Sequence, residues 1–303
     1  MSGTCFDGDR KLSTKRRALV LAGGGYVASS WEIGLVTGMA DAGLDVRDAD
    51  RFVGTSSGAR VALDLTSGKA LDEIYQRRAG QGEPPGPGVP PAERPPTIDW
   101  ARIRAGVDDA KQAGGSPAEI LRRYGALALA VAVAAGSDRR EVVATQLSLQ
   151  AWPKQRLLIT AVDAEAGQRH AFDRESGIDL VDAVIATTAS FGAPPMLFAS
   201  HHYIDGGYYS SDNADLAIGC DRVLVLALCS PPQAMRLVPI EAGIEALRAA
   251  GGQVEVIHPD EDTLAALVAT GGQMNPASGR PAAIAGRLQG RRSVSEHIAA
   301  LWR

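Results

Sequence analysis

The feature that most constrains this chain occurs twice near its start: a short apolar run that stops at glycine and gives way to a helical repeat. Arg17 to Ala22 (RALVLA) ends at Gly23-Gly24-Gly25, and Ala28 to Ala42 follows with Trp31, Leu35 and Met39 at helical spacing before Gly43. Arg51 to Gly54 then leads through Thr55-Ser56-Ser57-Gly58 into the helical stretch Ala59 to Thr66. An unbroken apolar run suits a strand covered on both faces, as in a parallel sheet with helices above and below. Strand, turn and helix repeated in that order predict an α/β domain.

The same alternation returns later. Arg156 to Val162 (RLLITAV) predicts a strand, with a second extended piece around His170 to Asp173 to pair with it, and Asp179 to Thr188 predicts a helix. Arg222 to Leu228 (RVLVLAL) and Gln253 to Ile257 predict two more strands, with the helix Glu241 to Ala250 as the right-handed crossover between them. Between these blocks, Gly80 to Pro96 is crowded with Pro and Gly, a composition that builds no core and reads as a loop. Pro117 to Gln150 is Ala- and Leu-rich and reads as two helices parted near Gly136-Ser137-Asp138, with Ser137 or Asp138 as the second cap. The organisation expected is one domain over residues 17–303, a flexible segment over 1–16, and the 80–96 loop and 117–150 insertion as a candidate lid.

Composition narrows the classes. With 303 residues, 45% hydrophobic and 22% charged, the chain is long enough for one large core. A formal net charge of −4 and a pI near 5.8 offer no basic footprint for nucleic acid. The three cysteines, Cys5, Cys220 and Cys229, have no zinc-like spacing and no even disulfide count, which favours a reducing, cytoplasmic setting. Met1 to Arg17 is polar and basic without a following apolar stretch, so no signal peptide is read there. The longest apolar run, Ala126 to Ala135, is about half the roughly 20 residues a membrane-spanning helix needs.

Chemistry concentrates in three places. Gly54-Thr55-Ser56-Ser57-Gly58 is a G-x-S-x-G between a predicted strand and a predicted helix, the context of a nucleophile elbow, in which Ser56 sits on a turn too tight for side chains at Gly54 or Gly58. A plain strand-to-helix turn is the competing reading. Gly23-Gly24-Gly25 opens the first helix, so its backbone N–H groups are placed to bind an anion. With Ala28 this loop also fits the dinucleotide fingerprint G-x-G-x-x-A. That fingerprint wants an acidic residue at the end of the second strand, where the elbow stands instead. Asp205-Gly206-Gly207 offers a carboxylate on a sharp turn, and an ordinary type I turn is its competitor.

Together these motifs resemble the patatin-like phospholipases: a glycine-rich loop after the first strand, G-x-S-x-G at the second and D-G-G late in the chain. Gly34-Leu35, the run Ala189-Ser190 to Pro194-Pro195 to Phe198, Asn213 and Ala217 extend the match. The resemblance implies a three-layer α/β/α sandwich with a mainly parallel sheet and hydrolysis of phospholipid or other lipid esters by a Ser–Asp dyad. No cofactor or metal takes part, and peripheral membrane contact is expected. It assigns Ser56 as nucleophile, Asp205 as base, and Gly23, Gly24 and Gly25 as the oxyanion loop. The chain departs from the family at Val27 and Ala28, where a basic residue and a glycine are usual, which leaves a catalytically weakened lipid- or nucleotide-binding protein as an alternative. Another is an ordinary Ser-Asp-His triad with His258 in third place. His170, His201, His202 and His297 are read as surface or turn residues, with no carboxylate spaced to make a metal site of His201-His202.

Overall fold

The computed structural model describes residues 15–80, 99–133, 139–228, 235–269 and 275–303, and its strands form one eight-stranded sheet. The parallel centre comprises β1 (Arg17–Leu21), β2 (Arg51–Thr55), β3 (Arg156–Asp163), β7 (Arg222–Leu226) and β8 (Gln253–Ile257). Three further strands, β4 (Gln168–Phe172), β5 (Met196–Phe198) and β6 (His201–Asp205), are antiparallel additions, and the order is β5-β6-β3-β2-β1-β7-β8 with β4 paired to β3. The expected parallel strands are all present, and the pairing expected near His170 is β4.

Strand alternation divides the core into two layers. Leu19, Leu21, Phe52, Leu157, Ile159, Leu224 and Leu226 face one side, where they meet α1 (Gly25–Asp41), α2 (Ser57–Leu65), α3 (Leu71–Ala79), α7 (Leu180–Thr187), α10 (Gly279–Ser293) and α11 (Glu296–Trp302). Ala18, Val20, Val53, Leu158, Val223 and Val225 face the other side and pack on α8 (Ile240–Ala249). Val162 and Ile204 on that same side meet α4 (Trp100–Gln112) and α5 (Pro117–Val131). The result is the expected three-layer α/β/α sandwich. Of the helices expected in the 117–150 insertion, α5 and α6 (Arg139–Gln146) are present, while the break at 136–138 and the 80–96 loop lie outside the described residues. So do most of segment 1–16, Cys5 and Cys229.

The helix that carries the glycine loop is anchored hardest. Trp31, Leu35 and Met39 of α1 are wholly buried, each worth about 1.5–3 kcal/mol over exposure. Its Gly34 and Gly38 approach the α10 backbone so closely that a Cβ at either would overlap the carbonyl of Ala283 or Arg287. Gln289 of α10 accepts the Trp31 indole N–H at 2.8 Å. Among the described residues no helix is long and apolar enough to cross a membrane.

Candidate active site

The register of β3 explains how two residues 149 positions apart in sequence come together. Its first half pairs with β2, ending at Thr55 beside Thr160; its second half pairs with β6, ending at Asp205 beside Ala161. Because β4 occupies the opposite edge along Ile159 to Asp163, β2 and β6 share one edge of β3 and meet there end to end. Ser56 follows Thr55, so its side chain emerges against Asp205. The Ser56 hydroxyl donates to Asp205 Oδ2 at 2.7 Å.

Ser56 holds φ 53° and ψ −122°, a region a non-glycine residue enters only when its surroundings impose it. The flanking glycines are part of that imposition. A Cβ at Gly54 would stand 2.5 Å from the Ala59 Cα, and one at Gly58 would run into the Leu21 carbonyl oxygen. The Ser56 N–H is taken by Thr187 Oγ1 at 2.8 Å, a contact from the end of α7 that no sequence pattern announced. Ser56 is also the N-cap of α2, whose positive end and free first-turn N–H groups favour negative charge at this point. Ser57, the rival hydroxyl, faces the glycine loop instead and accepts from the Gly24 N–H at 3.2 Å.

Asp205 is buried, and burial pushes its carboxyl up to about 6 against the opposing pull of the Gly207 N–H, the Ser56 hydroxyl and the positive charge of Arg236. The Gly207 N–H donates to Oδ1 at 2.8 Å and leaves Oδ2 to the serine. A buried hydroxyl and amide cluster underlies the turn. Asn213 Nδ2 donates to Thr55 Oγ1 at 3.0 Å and to the Ser210 carbonyl at 2.8 Å, and the Thr160 hydroxyl donates to Thr55 Oγ1 at 3.0 Å. Asn213 itself is left-handed, at φ 51°. Sequence matching flagged Asn213, but only the register places it beneath both β2 and the turn at Gly206.

The three loop glycines are not equivalent. The Gly23 N–H donates to the Ser211 carbonyl at 2.8 Å and the Gly24 N–H to the exchangeable Ser57 hydroxyl, while Gly25 opens α1, where N–H groups lack intrahelical acceptors. Val27 and Ala28 point into the core, fully buried. His258 does not join the site: its Nδ1 lies 3.1 Å from the Ala227 carbonyl, at the end of the β8 edge strand.

The histidine pair needs a correction. The β3–β4 turn brings Asp163 to His201 Nδ1 at 2.7 Å and Glu165 to His202 Nδ1 at 2.6 Å, so carboxylates absent from the local sequence arrive through antiparallel pairing. Asp163, Glu165 and His201 form a compact group of metal-ligand type, with Glu165 and His201 exposed, at the opposite end of β6 from Asp205. A cavity of about 320 Å³ lined by Trp152, Lys154, Arg156 and Arg174 is likewise remote from Ser56, beside the start of β3.

With this geometry in hand, comparison with known proteins identifies the lineage. Residues 19–218 match the patatin-like phospholipase family. The chain belongs to that family. The matched span runs from β1 to just before β7 and includes Ser56, Asp205 and the glycine loop. Among solved structures, the type III effector protein ExoU matches at 15% identity with a TM-score of 0.37, over 92% of this chain and 54% of that one. The patatin-like chain therefore spans about half the length of that effector. No curated protein gives a significant match.

Proposed function

We propose that this patatin-like protein is a serine acyl-hydrolase that cleaves carboxylic ester bonds of lipids through a Ser56–Asp205 dyad. The observation that carries the reading is a serine at φ 53° between two obligatory glycines, with its hydroxyl 2.7 Å from a buried carboxylate. Ser56 Oγ attacks the ester carbonyl carbon while its proton passes to Asp205 Oδ2. A carboxyl near pH 6 is mostly ionised at neutral pH yet basic enough to take that proton in the transition state. The oxyanion is met by the N–H groups of Gly24 and Gly25 and the positive end of α2, each well-placed donor being worth about 10²–10³ in rate. Asp205 then returns the proton to the departing alcohol, leaving an acyl-serine. Water deprotonated by Asp205 releases the acid and restores the hydroxyl.

Covalent labelling with a fluorophosphonate probe tests the reading directly. Wild-type protein is expected to label and to hydrolyse p-nitrophenyl butyrate; Ser56→Ala should do neither while keeping its circular dichroism spectrum. A folded wild-type protein that neither labels nor turns over would instead support a binding protein with a vestigial site.

A further inference from the structure

The helix that starts at the nucleophile carries a cation with no carboxylate to answer it. Arg60 stands one turn into α2, about 6 Å along the axis from Ser56 at 1.5 Å per residue. It is the partly buried position on a helix whose Ser57 to Ala59 and Val61 to Leu65 are buried. Among the described residues its side chain makes one hydrogen bond, from Nη1 to the neutral Gln146 Oε1 at 3.2 Å, and no ion pair. The nearest acid on the same helix is already engaged. Asp64 binds both Arg77 and Arg78, with Arg78 Nη2 at 2.6 Å from Oδ2, and the Ser148 hydroxyl also donates to it.

Desolvation and the neighbouring Arg78 both weaken the Arg60 guanidinium's hold on its proton, as expected for a cation enclosed beside other cations. Its other electrostatic neighbour is Tyr26, the exposed second residue of α1 that follows directly on the glycine loop. Arg60 is therefore bounded by the glycine loop on one side and the end of α6 on the other. Arg236 adds to the positive field from across the site, since it lowers the Asp205 carboxyl.

We infer that Arg60 is a specificity-determining residue that binds the phosphate of the substrate, so that the preferred ester is a phosphate-bearing glycerolipid rather than a neutral glyceride. The inference rests on the Ser56–Asp205 hydrolase reading. In a glycerophospholipid only the short glycerol bridge separates phosphate from the ester carbonyls, a separation of the same order as one helical turn. An anion of planar, multi-oxygen geometry suits a guanidinium fork, and a partly desolvated cation without a partner gains more from it than a solvated lysine would. Gln146 is a neutral placeholder that yields without leaving a charge behind.

The test compares kcat/KM for dihexanoyl-phosphatidylglycerol and dihexanoylglycerol, both kept below their micelle concentrations. Wild type is expected to prefer the phospholipid by about tenfold or more, the range of a hydrogen bond to a charged group. Arg60→Gln should shrink that ratio at least fivefold, and Arg60→Lys, which keeps the charge, should retain part of it. No wild-type preference, or a ratio that Arg60→Gln leaves intact, overturns the assignment even if its melting temperature shifts. A second arm does not depend on turnover: calorimetric titration of Ser56→Ala protein with glycerol 3-phosphate, inorganic phosphate and glycerol. Binding of glycerol 3-phosphate but not glycerol, lost in Ser56→Ala/Arg60→Gln, supports the site. Equal binding of inorganic phosphate would make it a free-phosphate site and overturn the substrate reading. If no ester is cleaved and no probe attaches, the hydrolase reading fails by itself, and this arm alone decides on Arg60.

Discussion

The two halves of the candidate dyad are held by opposite means. The nucleophile arm, β2 into α2, is fixed by exclusion: Gly54 and Gly58 let backbone approach backbone, and nothing polar is needed to hold Ser56 at φ 53° beyond Thr187. The base arm, β6 into the Asp205-Gly206-Gly207 turn, is a short antiparallel addition fixed by polar bonds from Gly207, Asn213, Thr55 and Thr160. Steric fixation is all or none, because a clash with a backbone carbonyl has no soft direction. A hydrogen-bonded turn can lose one bond and persist. The arms should therefore fail differently when altered.

The largest effect is expected in the first arm. Gly58→Ala drives a methyl into the Leu21 carbonyl and has no rotamer to escape by, so it should cost at least the 1–3 kcal/mol typical of core overpacking. Thermal melting and fluorophosphonate labelling should fall together. A variant that melts with wild type would show that the elbow has room to move, and the contrast between the arms would collapse.

The second arm should separate activity from stability. Asp205→Asn keeps the turn but removes the proton acceptor, and kcat should drop by about 10²–10⁴. Stability should move the other way. The folded carboxyl titrates near 6 rather than its ordinary 3.8, so the native state binds more protons than the unfolded chain between those values. Stability from this group is thus full below pH 4 and is lost as pH rises through 6, up to on the order of 3 kcal/mol. Asparagine has no such loss. Denaturant melts should find Asp205→Asn more stable than wild type at pH 7 and level with it at pH 4. Wild-type activity should rise through pH 6, and a flat profile from pH 5 to 8 would remove Asp205 as the base.

The same contrast explains what was legible in the sequence. The nucleophile arm is written locally: an apolar strand, a G-x-S-x-G and a helix are contiguous, so Ser56 could be singled out from Arg51 to Thr66 alone. The base arm is not. His201 to Asp205 begins with two histidines and is too short to display a strand period, and Met196 to Phe198 is shorter still. Its D-G-G was recognisable only by family resemblance. The carboxylates of Asp163 and Glu165 reach His201 and His202 only through strand pairing, which no local spacing encodes. The helix α10 went unread because its buried face is built from glycine and alanine around Gln289, which carry almost no hydropathy signal. It is nevertheless the element that fixes α1, and with it the glycine loop.

A third region touches both arms and provides the finest test. Helix α6 bonds the nucleophile helix through Gln146 and Arg60, and bonds the segment leading to the base through Arg139 and the Pro194 carbonyl at 2.6 Å. It contributes no buried side chain, Val142 is 46% exposed, and exposed ion pairs from Arg140 to Asp179 and Asp182 tie it to α7. Its neighbour α5 is different, since Leu121, Tyr124 and Ala128 sit in the core, so the lid reading rests on α6. Pairs this exposed are worth about 0.2–1 kcal/mol, little enough for a lipid surface to outbid. We expect long-chain ester hydrolysis to rise abruptly as the substrate passes its critical micelle concentration, with no jump for a short soluble ester. Arg140→Gln should shift the melting temperature only slightly but raise the rate on monomeric long-chain ester, because the helix is already loosened. If the rate against concentration is a smooth saturation curve in both proteins, α6 is a fixed strut joining the two arms rather than a lid, and the difference between the arms lies wholly in how each is built.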